Sequence, residues 1–196
     1  MRGGVQALLA VGLIAFSAWQ AGEAAYIYTK AWLAQKLIAS AWDKSRTRGI
    51  AMRPWPWADT YPVARIEVPR QGESLMVLSG ASGRTLAFGP GHVEGTPLPG
   101  LPGNSVVSGH RDTHFAFLQR LRQDDVLLVQ SGTGSLVRYR VAAREVVHRK
   151  DVRVLLDAGD DRLTLVTCFP FGDTMPGGPL RYVVVAIRDG KAGMSI

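Results

Sequence analysis

The chain has 196 residues, 46% of them hydrophobic, with a net charge of +7 and a pI of about 10.0. That length suits one ordinary domain with something appended, and the apolar fraction is enough for a real core. The basic balance points to nucleic acid or an anionic membrane surface. Arg and Lys are spread thinly, however, with no interleaved aromatics and no nucleic-acid motif, which sets nucleic acid aside.

The chain opens with GGVQALLAVGLIAFSAW, residues 3–19, without a charge, and the uncharged run lasts until Glu23. About 20 mostly apolar residues span a bilayer. The expectation is an uncleaved N-terminal transmembrane helix, a membrane anchor over residues 1–25. A cleaved signal peptide has a shorter apolar core and a more basic start than Arg2 alone provides. Lys30, Lys36, Lys44, Arg46 and Arg48 all follow the run. By the positive-inside count they argue against translocation of what comes after.

Residues 26–59 read as a second segment. Ile27, Ala31, Ala34, Ile38 and Ala41 recur at helical spacing, with Lys36, Ser40, Asp43 and Lys44 opposite. That is an amphipathic helix, suited to continuing the first helix, to lying along the bilayer surface or to packing on a domain. SRTRG ends it, and MRPWPWADTYP is a Pro/Trp-rich linker whose tryptophans suit a membrane interface or the end of a barrel.

From residue 60 the texture changes to strands. VARIEV alternates, and ESLMVLSG, NSVVSG, DVLLVQS, LVRYRVAAREVVH, DRLTLVTCF and RYVVVAIRD follow, separated by Gly, Pro and Asp turns. In LVRYRV, Val137, Tyr139 and Val141 share one face and Arg138 and Arg140 the other, the pattern of a half-buried strand. Only THFAFLQRLR, residues 113–122, reads as helical here. Residues 60–196 are therefore expected to be a mostly β domain, a closed barrel with a few short helices.

Three reactive residues sit at the ends of apolar strands. His110 follows NSVVSG, Cys168 follows LTLVT, and Arg181 opens the last strand. Cys168 is the only cysteine, so it has no partner for an internal disulfide, and an exported chain keeps such a thiol for use. A thiolate is a strong nucleophile. An imidazole supplies a counter-charge and then protonates a leaving amine. A guanidinium steadies the charge on an attacked carbonyl oxygen. The three types suffice for acyl transfer from an amide. Taken singly, each also has an ordinary reading: a buried thiol, a turn histidine, a solvated strand-end charge.

Together, TLVTC, GHRDTHF and RYVVVA, in that content and order, resemble the sortase family over about residues 60–190. The stretch LAFGPGHVEGTPLPGLPGNSVVSGHRDTHF resembles the segment before the sortase histidine, and TCFPF with the compact length is most similar to the proteobacterial class GN sortases. The resemblance implies an eight-stranded β-barrel and membrane attachment with the amino terminus inside. The barrel is then on the extracytoplasmic, periplasmic side of the cytoplasmic (inner) membrane. It implies a cysteine transpeptidase acting on an LPXTG-like sorting signal near a substrate protein's carboxyl terminus. Cys168 then attacks the threonine carbonyl, His110 protonates the departing amine, and Arg181 holds substrate and oxyanion. A thioacyl-enzyme is resolved by an acceptor amine. No cofactor is implied, and the chain has no zinc pattern.

Neighbouring residues carry weaker expectations. Thr167 and His92 are candidate substrate contacts, Thr167 equally a strand filler. Asp112 suits a turn or helix cap more than orientation of His110. His114 reads as structural and His148 as surface. Asp124 and Asp125 read as a turn, the carboxylates being too few and scattered for calcium. A cysteine protease that resolves the acyl-enzyme with water uses the same residues. A membrane-anchored binding module without catalysis accounts for the barrel but not for the lone thiol.

Overall fold

Alternation along the strands decides where the core lies. In the computed structural model the described residues are 2–156, 159–173 and 177–190, without the side chains of 2, 3, 5–10 and 24. They form two compact units, Met1–Leu37 and Ile38–Ile196. A long helix, α1 (Arg2–Arg48), runs through the first two expected segments, one of the arrangements the sequence left open. In the first unit, Val11, Leu13, Ile14, Phe16, Trp19 and Ile27 are exposed. In the second, Ile38, Ala41 and Trp42 of the last turns are buried. Ser45 there donates to the Ala41 carbonyl at 2.7 Å and accepts the Met52 amide at 2.9 Å, turning the chain just past the helix.

The transmembrane expectation finds no support among the described residues. Among the described residues no helix is long and apolar enough to cross a membrane. From Val11 onward, Gln20 and Glu23 interrupt the apolar run. Part of the expected span, residues 5–10, lies outside the described side chains.

The barrel strands are β1 (Pro62–Val68), β2 (Glu73–Ser79), β3 (Gly91–His92), β4 (Asn104–Ser108), β5 (Val126–Ser131), β6 (Leu136–His148), β7 (Arg162–Phe169) and β8 (Leu180–Arg188). They close in the order β1-β2-β3-β4-β7-β8-β6-β5. β2–β3 and β4–β7 are parallel; the other pairs are antiparallel. Closure leaves no free edge. Ala64, Ile66, Leu127, Val129, Tyr139, Leu163, Leu165 and Val184 fill the interior with Phe115, Phe117, Leu118 and Leu121. Those last four come from the segment expected to be helical, which forms turns and a short 3-10 helix, Ala116–Arg120. Burying so many of its residues at once suits a tight plug across the barrel better than a one-sided helical stripe.

One strand escaped the sequence pattern. β3 is two residues long and lies within GPGHVEG. Gly91 is there because the chain passes so close that a Cβ would sit 2.2 Å from the Gly80 carbonyl oxygen. The four-residue helix α2 (Gly83–Leu86), capped by the Ser82 side chain on the Thr85 amide, links β2 to this segment. In the linker, Trp55 meets Phe88 edge-on at 5.1 Å, while Trp57 is exposed.

Candidate active site

The site follows from strand register. On β7 the residues alternate, with Leu163, Leu165 and Thr167 turned to the core and Thr164, Val166 and Cys168 to the outer face. β8 lies antiparallel beside it, with Cys168 opposite Arg181, Val166 opposite Val183, and Thr164 opposite Val185. Directly opposed residues share a face, so the thiol and the guanidinium side chains leave the same side of the sheet. On the other flank, β4 runs parallel to β7 and pairs Ser108 with Val166.

Beyond Ser108 the alignment is carried further by two bonds. The Gly109 amide donates to the Val166 carbonyl at 3.1 Å, and the Thr167 hydroxyl donates to the Gly109 carbonyl at 2.7 Å. Gly109, directly before His110, is thereby held against Val166 and Thr167, directly before Cys168. Cys168 and Arg181 thus stand opposite each other on β7 and β8, and His110 lies two residues beyond the end of β4, the strand on the other flank of β7. Neighbouring strands are about 4.8 Å apart. Cys168 is half-buried and His110 exposed, so the thiol is within reach of solvent.

Arg181 is half-buried, and its Nη1 donates to the carbonyls of Gly178 and Leu180, both at 2.8 Å. These bonds brace the guanidinium against its own loop. A cavity of about 180 Å³ opens next to it, with Val93, Val106, Val152, Leu155 and Val166 among its walls. Val166, two residues before Cys168 on β7, and Arg181, opposite Cys168 on β8, both line that cavity.

A residue the sequence reading did not single out holds the site from behind. Arg111, directly after His110, is 5% exposed. Its Nη1 donates to the Pro170 carbonyl at 2.7 Å, its Nη2 to the Asp173 carbonyl, and its Nε to Asp112 at 3.2 Å. The loop after the nucleophile is therefore tied to the loop that carries the histidine. The available signal was a charged residue inside an otherwise turn-like GHRDTHF. Under the same loop, Phe169, Phe171 and Tyr182 stack and meet edge-on.

The weaker candidates fall in other places. Thr167 is 2% exposed and its hydroxyl is spent on Gly109, so it lies beneath the site and does not line the cavity. His92 is buried, its Nε2 within 3.0 Å of the Pro97 carbonyl and 3.1 Å of the Thr96 hydroxyl, which joins it to its own loop. Asp112 serves Arg111. His114 lies close enough to His110 to be affected by it: burial first, then the charge of His110, hold its pKa below the ordinary imidazole value. Asp125 is bound by Arg70 at 2.6 Å, which keeps its pKa low.

The family model of the sortase domain matches residues 66–189, more than half of the chain. Sortase D of Bacillus subtilis (strain 168) is 29% identical over 124 residues, 63% of this chain and 62% of the relative, so the chain matches less than two thirds of that protein's length. Among solved structures, sortase A from Corynebacterium diphtheriae superposes with a TM-score of 0.61 at 28% identity, covering 68% of this chain and 63% of the other. Sortase C-1 from Actinomyces oris gives a TM-score of 0.59 at 35% identity, covering 66% and 73%.

Proposed function

The chain belongs to the sortase family, and from that premise we propose that it is a cysteine transpeptidase that cuts an LPXTG-like sorting signal in a substrate protein and passes the acyl part to an amine. The observation that carries this is the register that sets Cys168 opposite Arg181, with the carbonyl just before His110 tied to Thr167 just before Cys168, beside a partly apolar cavity that Arg181 lines.

In this mechanism the Cys168 Sγ, as thiolate, forms a bond to the carbonyl carbon before the scissile amide. The C=O electrons move onto oxygen, where the Arg181 guanidinium offsets the charge. As the C–N bond breaks, the imidazolium of His110 gives its proton to the departing amine. A thioester remains. An incoming amine attacks it, His110 takes the amine's surplus proton, and the thiolate leaves. The groove walls exclude water from the apolar stretch of the signal, and the partly exposed thiol admits the acceptor.

The subtype and the location belong to the same proposal. TCFPF favours the proteobacterial class GN type. Work at the outer face of the cytoplasmic membrane is favoured by two features. One is the lone thiol; the other is the row of exposed apolar side chains in the first unit, Leu13, Ile14, Phe16 and Trp19 among them.

The test is mass spectrometry of the full chain after incubation with LPXTG-type peptides, with and without a panel of amines, beside Cys168→Ala. A thioacyl adduct on Cys168 and an amine-joined product are the expected result. Adduct followed by hydrolysis alone, across every amine, would make the chain a protease. Absence of any adduct, with a thiol that alkylates only after unfolding, would overturn the catalytic reading altogether.

A further inference from the structure

We propose that the end of α1 and the linker after it form a docking surface for an anionic lipid bilayer, through Arg46, Arg48 and Arg53 together with Ile50 and Trp57. The surface needs a membrane and not the transpeptidase chemistry, so it stands apart from the proposed activity.

Charge is the first observation. From residue 44 to residue 58 the chain carries Lys44, Arg46, Arg48 and Arg53 and no Asp or Glu. All four cations are exposed, and none forms an ion pair among the described residues. On the barrel the arginines are largely neutralised, Arg70 by Asp125, Arg138 and Arg140 by Asp189, Arg188 by Asp161. Part of the net charge of +7 is thus left open in one short stretch. Arg46 and Arg48 also complement the carbonyl end of α1, but Arg53 lies past the helix and has no such use.

The second observation is that this stretch is fastened from behind. Gly49, at a φ of +69°, ends α1 with its amide on the Ser45 carbonyl at 2.9 Å, and the Met52 amide returns to the Ser45 hydroxyl. Trp55 packs edge-on against Phe88, Ala58 is 2% exposed, and the Thr60 hydroxyl donates to the Ser79 carbonyl at 2.7 Å. Between these anchors Ile50 is 61% exposed and Trp57 83%. Arg46 extends over the β5–β6 turn, its Nη2 3.9 Å from where a Cβ of Gly134 would stand, and Leu136 just past that turn is exposed as well. Cations and large apolar side chains are therefore displayed together by a pinned backbone.

That combination selects the partner. Guanidinium groups bind lipid phosphates, and an indole beside them settles at the boundary between headgroups and acyl chains. A soluble acidic partner would match the arginines but leave the exposed indole and Ile50 without a role. The row of exposed apolar residues in the first unit, Leu13, Ile14, Phe16 and Trp19, precedes this surface in the same chain. The basic residues that oppose translocation in the positive-inside count thereby acquire a use at a lipid surface.

The experiment uses the full chain and vesicles of phosphatidylcholine, with or without phosphatidylglycerol, carrying brominated acyl chains that quench tryptophan. The emission of Trp57 is the difference between the wild type and Trp57→Phe. It should be quenched on the anionic vesicles, much less on the neutral ones, and released by high salt. In the triple variant Arg46→Gln, Arg48→Gln, Arg53→Gln that quenching should vanish. The ratio of partition into anionic over neutral vesicles should then fall about 100-fold, roughly fivefold per arginine. Lysine at the same three positions keeps the charge and should keep both readouts, which separates charge from any fraying of α1. Equal quenching of Trp57 on both lipids, or an unchanged ratio in the glutamine variant, would overturn the inference. So would a Trp57 that no vesicle quenches but that polyglutamate shifts, an outcome assigning the patch to a soluble acidic partner. Quenching as expected in a chain that acylates with no peptide would keep the surface and overturn the proposed activity instead.

Discussion

The Thr167 hydroxyl, one residue before the cysteine, donates at 2.7 Å to the carbonyl of Gly109, one residue before the histidine. Both residues are buried, so the two catalytic candidates are set against each other by a bond in the barrel wall beneath them. Thr167→Val removes the donor and keeps the shape. A buried carbonyl left without a partner costs about 2 kcal/mol, which lowers Tm by about 4–8 °C in a chain of this size. Thr167→Ser keeps the bond and should recover most of the loss. Thermal melts of the two variants check the pair.

Gly109 has a second constraint. A Cβ there would stand 2.8 Å from the Phe115 ring, and Phe115 is fully buried. Gly109→Ala should therefore destabilise the protein by about 1–3 kcal/mol through overpacking. Phe115→Leu alone also destabilises, yet added to Gly109→Ala it should cost less than the sum, a coupling readable in a double-mutant cycle.

Removal of Arg111 should loosen the loop after Cys168 before it unfolds the barrel. Arg111→Met leaves the Pro170 and Asp173 carbonyls without their donor, a loss of about 2 kcal/mol or more. Arg111→Lys keeps the charge but not the planar fork, and should recover only part. Limited proteolysis within residues 170–179 should accelerate in the order wild type, Lys, Met.

The three site residues should separate by readout. Cys168→Ala abolishes the peptide adduct. His110→Ala should slow its formation by about 10²–10⁴-fold and also slow alkylation of the thiol at neutral pH. Arg181→Ala should slow acylation by about 10²–10³-fold while alkylation, which builds no oxyanion, proceeds nearly as in the wild type. Single-turnover acylation and iodoacetamide labelling measure the two arms.

His114 gives the protein a pH dependence near neutrality. Its pKa is lowered in the fold from 6.5, by burial first and His110 second. The unfolded chain therefore takes up a proton more readily, so stability contributed by neutral His114 is present above about pH 6.5 and is lost as pH falls through the lower folded value. His114→Gln should flatten the fall in Tm between about pH 7.5 and 5. An unchanged slope would assign that fall to other groups.

Seven of the eight strands were legible because alternation in VARIEV, LVRYRV and LTLVTC directly encodes which side chains face the core. Cys168, His110 and Arg181 stood out for a similar reason, as reactive groups at the ends of apolar runs. β3 was not legible, since two residues among glycines and prolines carry no period. The helical character of 113–122 was legible, but not that the helix would be a single short 3-10 stretch, since that depends on packing into the barrel interior. The helical spacing of residues 27–41 was legible too, and α1 runs through it without a break.

By itself, then, the sequence determined the residue types for acyl transfer and the strands that bear them, since both are local properties of the chain. Only the tertiary structure decided that Cys168 faces Arg181, that Thr167 and His92 turn away from the groove, and that Arg111 holds the loop after Cys168. Those facts depend on register between strands up to about sixty positions apart in sequence and on where buried polar groups find partners. Neither leaves a pattern in neighbouring residues.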